Sequence, residues 1–395
     1  MLIGLVGKPS SGKSTFFKAA TLAEVEIASY PFTTIKPNHG VGYVKVDCIE
    51  AEFNVKCQPN HGFCIKGNRF VPVELMDVAG LVPGASEGKG LGNQFLNDLR
   101  QADVFIHIVD ASGTTNEEGK PAVNHDPSKD VLFLENELNK WFYNIMIKAW
   151  KTFVRKTEQE EGGNFSEAVA KQFSGLKVKE EHVKKVLSTL RLPEKPSNWN
   201  KDQLFWFASE LRTESKPTII AANKVDLEKA YSNYKFLKMR FPGLIIIPCS
   251  ADSELALREA AKTGLIDYLP GERDFEVTGE LSDEQRKALS DIKESVLDRI
   301  PEATGVQEIL NYAVFNFLNY IAVFPAGASK LADSKGRILP DCFLLPRGST
   351  ALDFAYYLHT DFGNNFIRAI DARTKKALGK NYELKHRDAL EIVTR

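Results

Sequence analysis

The sequence predicts an α/β chain: a parallel sheet covered by helices on both faces, a helical insertion, and a small α+β region at the C-terminus. Three observations carry this. Short apolar runs recur at Leu2–Val6, Val41–Val46, Val71–Met76, Val104–Val109, Thr218–Ala222 and Leu244–Pro248. Helical patterns fall between most of them, the alternation expected of a parallel sheet. From about Leu318 the texture changes to short β-rich runs punctuated by Pro325-Ala326-Gly327 and Arg347-Gly348.

The first run enters Gly7-Lys8-Pro9-Ser10-Ser11-Gly12-Lys13-Ser14-Thr15, after which a helix is expected over Lys13–Leu22. A strand, a Gly-rich turn and a helix start make a phosphate-binding loop. Gly7 and Gly12 let the backbone wrap until consecutive N–H groups face phosphate oxygens, and the new helix adds the positive end of its dipole. Lys13 is placed to reach the β/γ phosphates and Ser14 to ligate Mg²⁺. The chain is therefore expected to bind a nucleoside triphosphate.

Tyr30-Pro31-Phe32-Thr33-Thr34 follows, where a switch threonine is expected; Thr34, in preference to Thr33, would complete the Mg²⁺ shell. The third run ends in Asp77-Val78-Ala79-Gly80. Asp77 is placed to hold Mg²⁺ through water, and Gly80 to give its N–H to the γ-phosphate. Lys13, Thr34 and Gly80 are the expected catalytic set; Ser14, Thr34 and Asp77 the metal set. The Gly-rich Gly84–Gly92 stretch would report the γ-phosphate by ordering.

Between the runs ending at Val109 and starting at Thr218 lies far too much chain for one crossover. A polar loop, Gly113–Lys129, leads into a helical pattern over Asp130–Glu161, and Gly162-Gly163 separates it from a lysine- and glutamate-rich helical segment, Ser166–Arg191. This reads as an insertion over 113–214, within a core formed by 1–112 and 215–317.

The chemistry is decided by Asn223-Lys224-Val225-Asp226. A carboxylate only accepts hydrogen bonds, so Asp226 suits the adjacent donors on guanine N1 and N2; adenine offers an acceptor at N1. An unpaired charge in a partly buried site would favour guanine by roughly a hundredfold. Asn223 would tie this loop to the phosphate loop, and the Lys224 stem would lie over the purine. Cys249-Ser250-Ala251 would supply a backbone N–H to guanine O6. The region 264–317 reads as helical, with candidates at Asp283–Arg299 and Gly305–Phe317, and residues 318–395 form the last unit, with a helical piece at Thr350–Asp361.

With a formal charge of −1 over 395 residues, the chain has no global attraction to nucleic acid, but 318–395 holds twelve Lys and Arg against eight Asp and Glu, a surplus of four. No apolar run approaches a membrane span, and the N-terminal run is too short for a signal peptide and enters the phosphate loop. Five cysteines without a disulfide rhythm suit a reducing compartment, so a cytoplasmic location is expected; the chain is separately expected to be a monomer. Cys57, His61 and Cys64 lie close together with Cys48 nearby, but the pairs lack the CxxC spacing of a structural zinc site. They read first as loop cysteines in a hairpin, with a zinc knuckle as the alternative.

With these residues in hand, the chain resembles the Obg-like GTPases of the translation-factor class, in their YchF-type archaeal branch. Tyr30-Pro31-Phe32-Thr33-Thr34 with Pro37-Asn38, Asp77 through Ala85, and Gly88-Lys89-Gly90-Leu91-Gly92-Asn93-Gln94-Phe95-Leu96 carry the resemblance. It implies a P-loop NTPase G domain with a helical insertion and a C-terminal TGS-like domain of β-grasp (α+β) fold. It also implies GTP/GDP binding, slow hydrolysis, and association with ribosome or RNA through the C-terminal domain and the insertion. Related members that prefer ATP have a changed base motif, whereas Asn223, Lys224 and Asp226 are all present here. Related GTPases carry Asn where Ser10 stands, and it helps bind an activating potassium ion; with Ser10 in its place, potassium activation is in doubt.

Leu81 stands where Ras-type GTPases place the water-orienting glutamine, and leucine cannot hydrogen-bond water. Slow Mg²⁺-dependent turnover is the leading expectation. An ATPase of the same architecture and a nucleotide-dependent scaffold with incidental hydrolysis are the rivals.

Overall fold

The computed structural model describes residues 1–22, 38–78, 80, 81, 84, 99–159, 164–327, 330–333 and 335–395. Its centre is a seven-stranded sheet of β1 (Leu2–Val6), β2 (His39–Asp47), β3 (Phe63–Ile65), β4 (Asn68–Asp77), β5 (Val104–Asp110), β6 (Thr218–Asn223) and β7 (Ile245–Pro248), ordered β2-β4-β1-β5-β6-β7 with β3 beside β4. Strands β4, β1, β5, β6 and β7 run parallel. β1 and β5 are wholly buried, as continuous apolar runs flanked by helices must be. Helix α1 (Lys13–Thr21) follows β1, and its Phe16, Ala19 and Ala20 pack inward.

The sheet departs from the all-parallel expectation at one edge. β2 and β3 both pair antiparallel with β4. β3 reaches β4 through the short Lys66-Gly67 turn, which permits only antiparallel pairing. β4 is long enough to hold two neighbours on one side: β3 opposite Asn68–Phe70 and β1 opposite Glu74–Asp77.

The insertion holds α2 (Pro127–Gln159), α3 (Phe165–Gln172), α4 (Glu180–Thr189) and α5 (Lys201–Ser215). The helical segment Ser166–Arg191 holds two helices, divided by the turn Ser174–Leu176 with Lys177 left-handed at its end. α5 has no counterpart among the sequence expectations, although Asn200 and Gln203 cap it reciprocally at 2.9 Å each way. Leu138, Trp141 and Phe142 of α2 and Leu204, Phe207 and Leu211 of α5 bury against Leu2, Val6 and Phe105 of the sheet. Trp150 stacks on Trp199 with ring centroids 5.5 Å apart. Such ring pairs add about 0.5–1.5 kcal/mol beyond their buried area.

After β6 come α6 (Ala230–Arg240) and, beyond β7, α7 (Ala251–Lys262). The next stretch is not all helical: β8 (Ile266–Tyr268) and β9 (Phe275–Val277) pair as a small hairpin before α8 (Asp283–Ile292) and α9 (Val306–Asn311). Each of the last two continues into a wider π-type turn, over Lys293–Leu297 and Tyr312–Phe317.

The C-terminal unit has a five-stranded mixed sheet: β10 (Tyr320–Pro325), β11 (Phe343–Pro346), β12 (Phe366–Asp371), β13 (Ala377–Leu378) and β14 (Asp388–Thr394), ordered β11-β10-β14-β12-β13. α10 (Ala351–Leu358) lays Phe354 on Ile321, Val323, Leu345 and Leu390, in agreement with the β-grasp expectation. The single helix expected over Thr350–Asp361 stops at His359 and restarts as the short α11 (Thr360–Asn364). Ala322, Phe324, Leu344 and Ala389 of this unit join Ile3, Val71 and Ile219 in one continuous core, so the two units share buried apolar surface.

Candidate functional site

The phosphate loop, the C-terminal end of β4 and the loop after β6 converge at the carboxyl ends of the parallel strands, where such sheets leave a crevice for a ligand. Gly12 caps α1 at φ 96, and a Cβ there would stand 2.2 Å from Asn223 Nδ2. A Cβ on Gly80 would stand 2.9 Å from Pro9 N. These two glycines are what allow the base loop and the Asp77–Gly80 turn to close on the phosphate loop.

Lys13 is buried, and its Nζ donates to the Lys8 carbonyl at 2.7 Å. Burial pushes its ammonium down to about 8, against the opposing pull of the Asp77 carboxylate. Ser14 Oγ donates to Asp77 Oδ2 at 2.9 Å, while Asp77 Oδ1 is buried without a hydrogen-bond partner among the described residues. A hydroxyl and an orphaned carboxylate oxygen side by side are the hard oxygen donors Mg²⁺ requires, so Ser14 and Asp77 fit the ion. Thr34, the third expected ligand, and its neighbour Thr33 lie outside the described residues.

Asn223 joins the two halves of the site. Its Nδ2 donates to the Ser11 carbonyl at 3.0 Å and its Oδ1 accepts the Ala251 N–H at 3.0 Å. Cys249-Ser250-Ala251 is expected to offer a backbone N–H to guanine O6, but all three are engaged within the protein: Cys249 N donates to the Ala222 carbonyl at 2.8 Å, Ser250 N to the Thr304 carbonyl at 2.9 Å, and Ala251 N to Asn223. Ser250 Oγ donates to Asp226 Oδ1 at 2.6 Å and contacts Ser253 Oγ at 2.8 Å, fixing the carboxylate that would read the base. Lys224, at φ 67, anchors its ammonium on Asp110 Oδ2 at 2.9 Å. Burial opposes the Asp110 charge, yet hydrogen bonds from Ser112, Thr115 and Lys224 outweigh it and hold the carboxyl below its ordinary value.

Two expected residues have a second engagement. The Lys8 side chain turns away from the crevice to Asp130 Oδ2 at 2.7 Å and the Thr115 carbonyl at 2.6 Å, leaving only its backbone on the loop. Leu81 is 2% exposed, packed with Val6, Met76, Leu134 and Leu138, and its N–H donates to the Gly7 carbonyl at 3.0 Å. Its side chain packs in the core beneath α2. Asp110, Asp130 and His125, whose Nε2 lies 2.8 Å from Asp130 Oδ1, carry no motif that singles them out in the sequence. A buried acid at a strand's C-terminal end is the available signal for Asp110. Ser10 is exposed at φ 60, and Pro9 and Thr15 flank the loop half-buried.

Comparison with known proteins places the whole chain among relatives. A family described as "Obg-like GTPase YGR210-like, G4 motif-containing domain" matches residues 221–327. The 50S ribosome-binding GTPase family matches 2–141 and the TGS domain 325–394. A GTP-binding protein of Methanocaldococcus jannaschii is 47% identical over all of this chain and 99% of its own length. The crystal structure of a GTP-binding protein from Pyrococcus horikoshii superposes with a TM-score of 0.77 at 40% identity, covering 100% of both chains. The ribosome-binding ATPase YchF of Buchnera aphidicola is 28% identical over 96% of this chain and 92% of its own.

Proposed function

The chain belongs to the Obg-like, YchF-type family of P-loop GTPases, and on that footing we propose that it is a slow, Mg²⁺-dependent GTP hydrolase acting as a nucleotide switch on the ribosome. The observation that carries the reading is the Asn223 bridge: one side chain ties the Ser11 carbonyl of the phosphate loop to the Ala251 N–H of the base loop. Base recognition and phosphate position thereby become one mechanical unit.

In this reading Asp226 accepts from guanine N1 and N2, and the phosphate-loop N–H groups from Gly7 to Thr15 hold the phosphates. Lys13 stabilises charge on the transferring phosphoryl group, and Gly80 gives its N–H to the γ-phosphate. Ser14 and Thr34, with Asp77 through water, would hold Mg²⁺, which would supply further neutralisation of that charge. Leu81 leaves the attacking water unoriented, which supports slow basal turnover. The working division is a G domain over 1–112 and 215–317, an insertion over 113–214 and a TGS-like domain over 318–395.

A relative named as a ribosome-binding ATPase makes adenine the competing base. Asp226, fixed by Ser250, supports guanine. Ribosome association is supported by the matched 50S ribosome-binding family and by that relative's name. Calorimetric titration with GTP and ATP analogues, followed by single-turnover hydrolysis with and without ribosomes, tests both parts. Tighter GTP binding and ribosome-accelerated hydrolysis are expected; equal affinities would sink the guanine assignment, and hydrolysis indifferent to ribosomes the switch.

A further inference from the structure

At the far end of β4 from Asp77, three cysteines and a glutamate come together. Cys48 follows β2, Glu50 sits in the turn Ile49–Phe53, Cys57 lies on the following loop, and Cys64 is on β3 opposite Arg69. Their ligand atoms all lie within 4.8 Å of one another. Cys48 Sγ is 3.8 Å from Cys57 Sγ, and Cys64 Sγ is 3.8 Å from Glu50 Oε1. Zinc–sulfur bonds of about 2.3 Å at tetrahedral angles place two sulfurs about 3.8 Å apart. We propose that Cys48, Glu50, Cys57 and Cys64 form a structural Zn²⁺ site.

Three further observations support it. Cys48, Glu50 and Cys57 are buried and Cys64 half-buried, which suits a closed four-ligand site. Glu50 is already oriented: its Oε2 accepts the Cys57 N–H at 2.9 Å, leaving Oε1 toward the sulfurs. Arg69 is fully buried with its Nε unpartnered, and its guanidinium donates only to the carbonyls of Leu339 and Pro340, with no carboxylate partner among the described residues. Three thiolates and a carboxylate around Zn²⁺ leave two negative charges. Arg69, and Lys56 at 3.6 Å from Glu50 Oε1, offset them.

The site also has structural work to do. The loop it closes receives the C-terminal unit: Gln58 N donates to the Ile338 carbonyl at 2.8 Å and Asn60 N to the Pro340 carbonyl at 2.7 Å. Glu52, two residues after Glu50, pairs with Arg373 at 2.6 Å and with Arg387. A metal would staple a loop with little regular structure onto which the C-terminal unit is seated. His61, the imidazole suggested by sequence, is not in the cluster; it sits beside Asn60 and 4.0 Å from Asp341.

The test uses the full-length chain. Purified without chelator, wild type and Cys342→Ser should each carry about one zinc per chain by mass spectrometry of the metal, and Cys57→Ser/Cys64→Ser less than about a fifth of that. Wild type stripped with a chelator and titrated with Co²⁺ should give the visible bands of tetrahedral cobalt and thiolate-to-metal charge transfer, saturating at one equivalent. This second measurement stands if the double variant fails to fold. GTP binding should survive stripping, because Arg69 and Asp77 are eight residues apart along β4, about 26 Å at strand rise. Wild type purified with less than about a fifth of an equivalent and all thiols reduced, a Cys48–Cys57 disulfide in peptide mapping, or equal zinc in the double variant would each overturn the site.

Discussion

Lys8 and Asp130 form an ion pair at 2.7 Å with both side chains almost wholly buried, 1% and 2% exposed. It links the second residue of the phosphate loop to the first turn of α2, so the insertion is anchored at the nucleotide site and is no detached arm. Burial raises the Asp130 carboxyl, against the opposing pull of Lys8 and His125. The pair therefore depends on both partners.

Removing one partner should be far worse than removing both. Asp130→Leu or Lys8→Met alone strands a buried charge and should destabilise the chain by about 3–5 kcal/mol, whereas Lys8→Met/Asp130→Leu should recover most of that loss. Urea unfolding of the two singles and the double closes the cycle. Additive losses, each under about 1 kcal/mol, would show that the pair has no coupling role.

The base is tested through Asp226. Wild type should bind GTP at least about tenfold more tightly than ATP, since adenine turns an acceptor toward the carboxylate. Xanthine replaces the guanine N2 amine with a carbonyl, so Asp226→Asn, which brings an amide donor, should weaken GTP and strengthen xanthosine triphosphate. Competition binding with the three nucleotides reads both changes, and an unchanged rank order in the variant would remove Asp226 from the base site.

Acid sensitivity should pass through His107 on β5. Burial first, then the nearby Lys13 and Lys8 charges, push its imidazole down to about 3. Unfolded, it titrates at its ordinary value near 6.5, so between about 6.5 and 3 the unfolded chain binds the extra proton. Stability from this group is present above pH 6.5 and is lost as pH falls, approaching about 1.4 kcal/mol per pH unit. His107→Phe should flatten the decline of Tm between neutral pH and pH 5; parallel Tm curves would assign the loss elsewhere.

Much of this is legible in the residues. Six of the central sheet's seven strands announce themselves as apolar runs, Gly7 to Gly12 lies between β1 and α1, and Asn223 closes β6. What escapes is set by tertiary neighbours or by short length. β3 has three residues, too few for a period, and α5 follows a Pro-rich stretch that hides its Asn200–Gln203 cap. Residue type points to His61 as a partner of the cysteines, but the turn after Cys48 carries Glu50 into that position. The inward turn of Lys8 cannot be read from a loop motif, because Asp130 lies 122 residues further along (130 − 8) and is brought there only by the fold. The same holds for Leu81: its place after DxxG suggests the catalytic centre, while its burial belongs to the core under α2.

Leu81 accordingly separates stability from chemistry. Leu81→Ala removes buried carbons between the sheet and α2 and should cost about 2–5 kcal/mol. Basal single-turnover hydrolysis should change only a few-fold, because no group that orients water is removed. Lys13→Ala should show the opposite pattern, losing well over tenfold in rate with little change in Tm. Chemical melts and single-turnover rates on the two variants decide it; a large rate loss in Leu81→Ala at preserved stability would place that side chain in the reaction.

The last expectation concerns how the C-terminal unit would meet the ribosome. Its surplus of four positive charges is not all available, since Arg373 and Arg387 are engaged by Glu52, which lies outside that unit. Deleting 318–395 would also strip Ala322, Phe324 and Ala389 from the shared core, so a truncation confounds binding with folding. Lys375, Lys376 and Lys380 are exposed beside the β12–β13 turn and can be reversed without touching that core. If they meet RNA phosphates, Lys375→Glu/Lys376→Glu/Lys380→Glu should weaken ribosome co-sedimentation and flatten its salt dependence. The log–log slope should fall by up to about 0.7–0.9 for each phosphate no longer neutralised. GTP affinity and Tm should hold, because the nucleotide residues from Gly7 to Ala251 lie on the other unit. Undiminished ribosome binding with an unchanged salt slope would assign this face of the C-terminal unit no role toward RNA and leave it as a packing partner of the G domain.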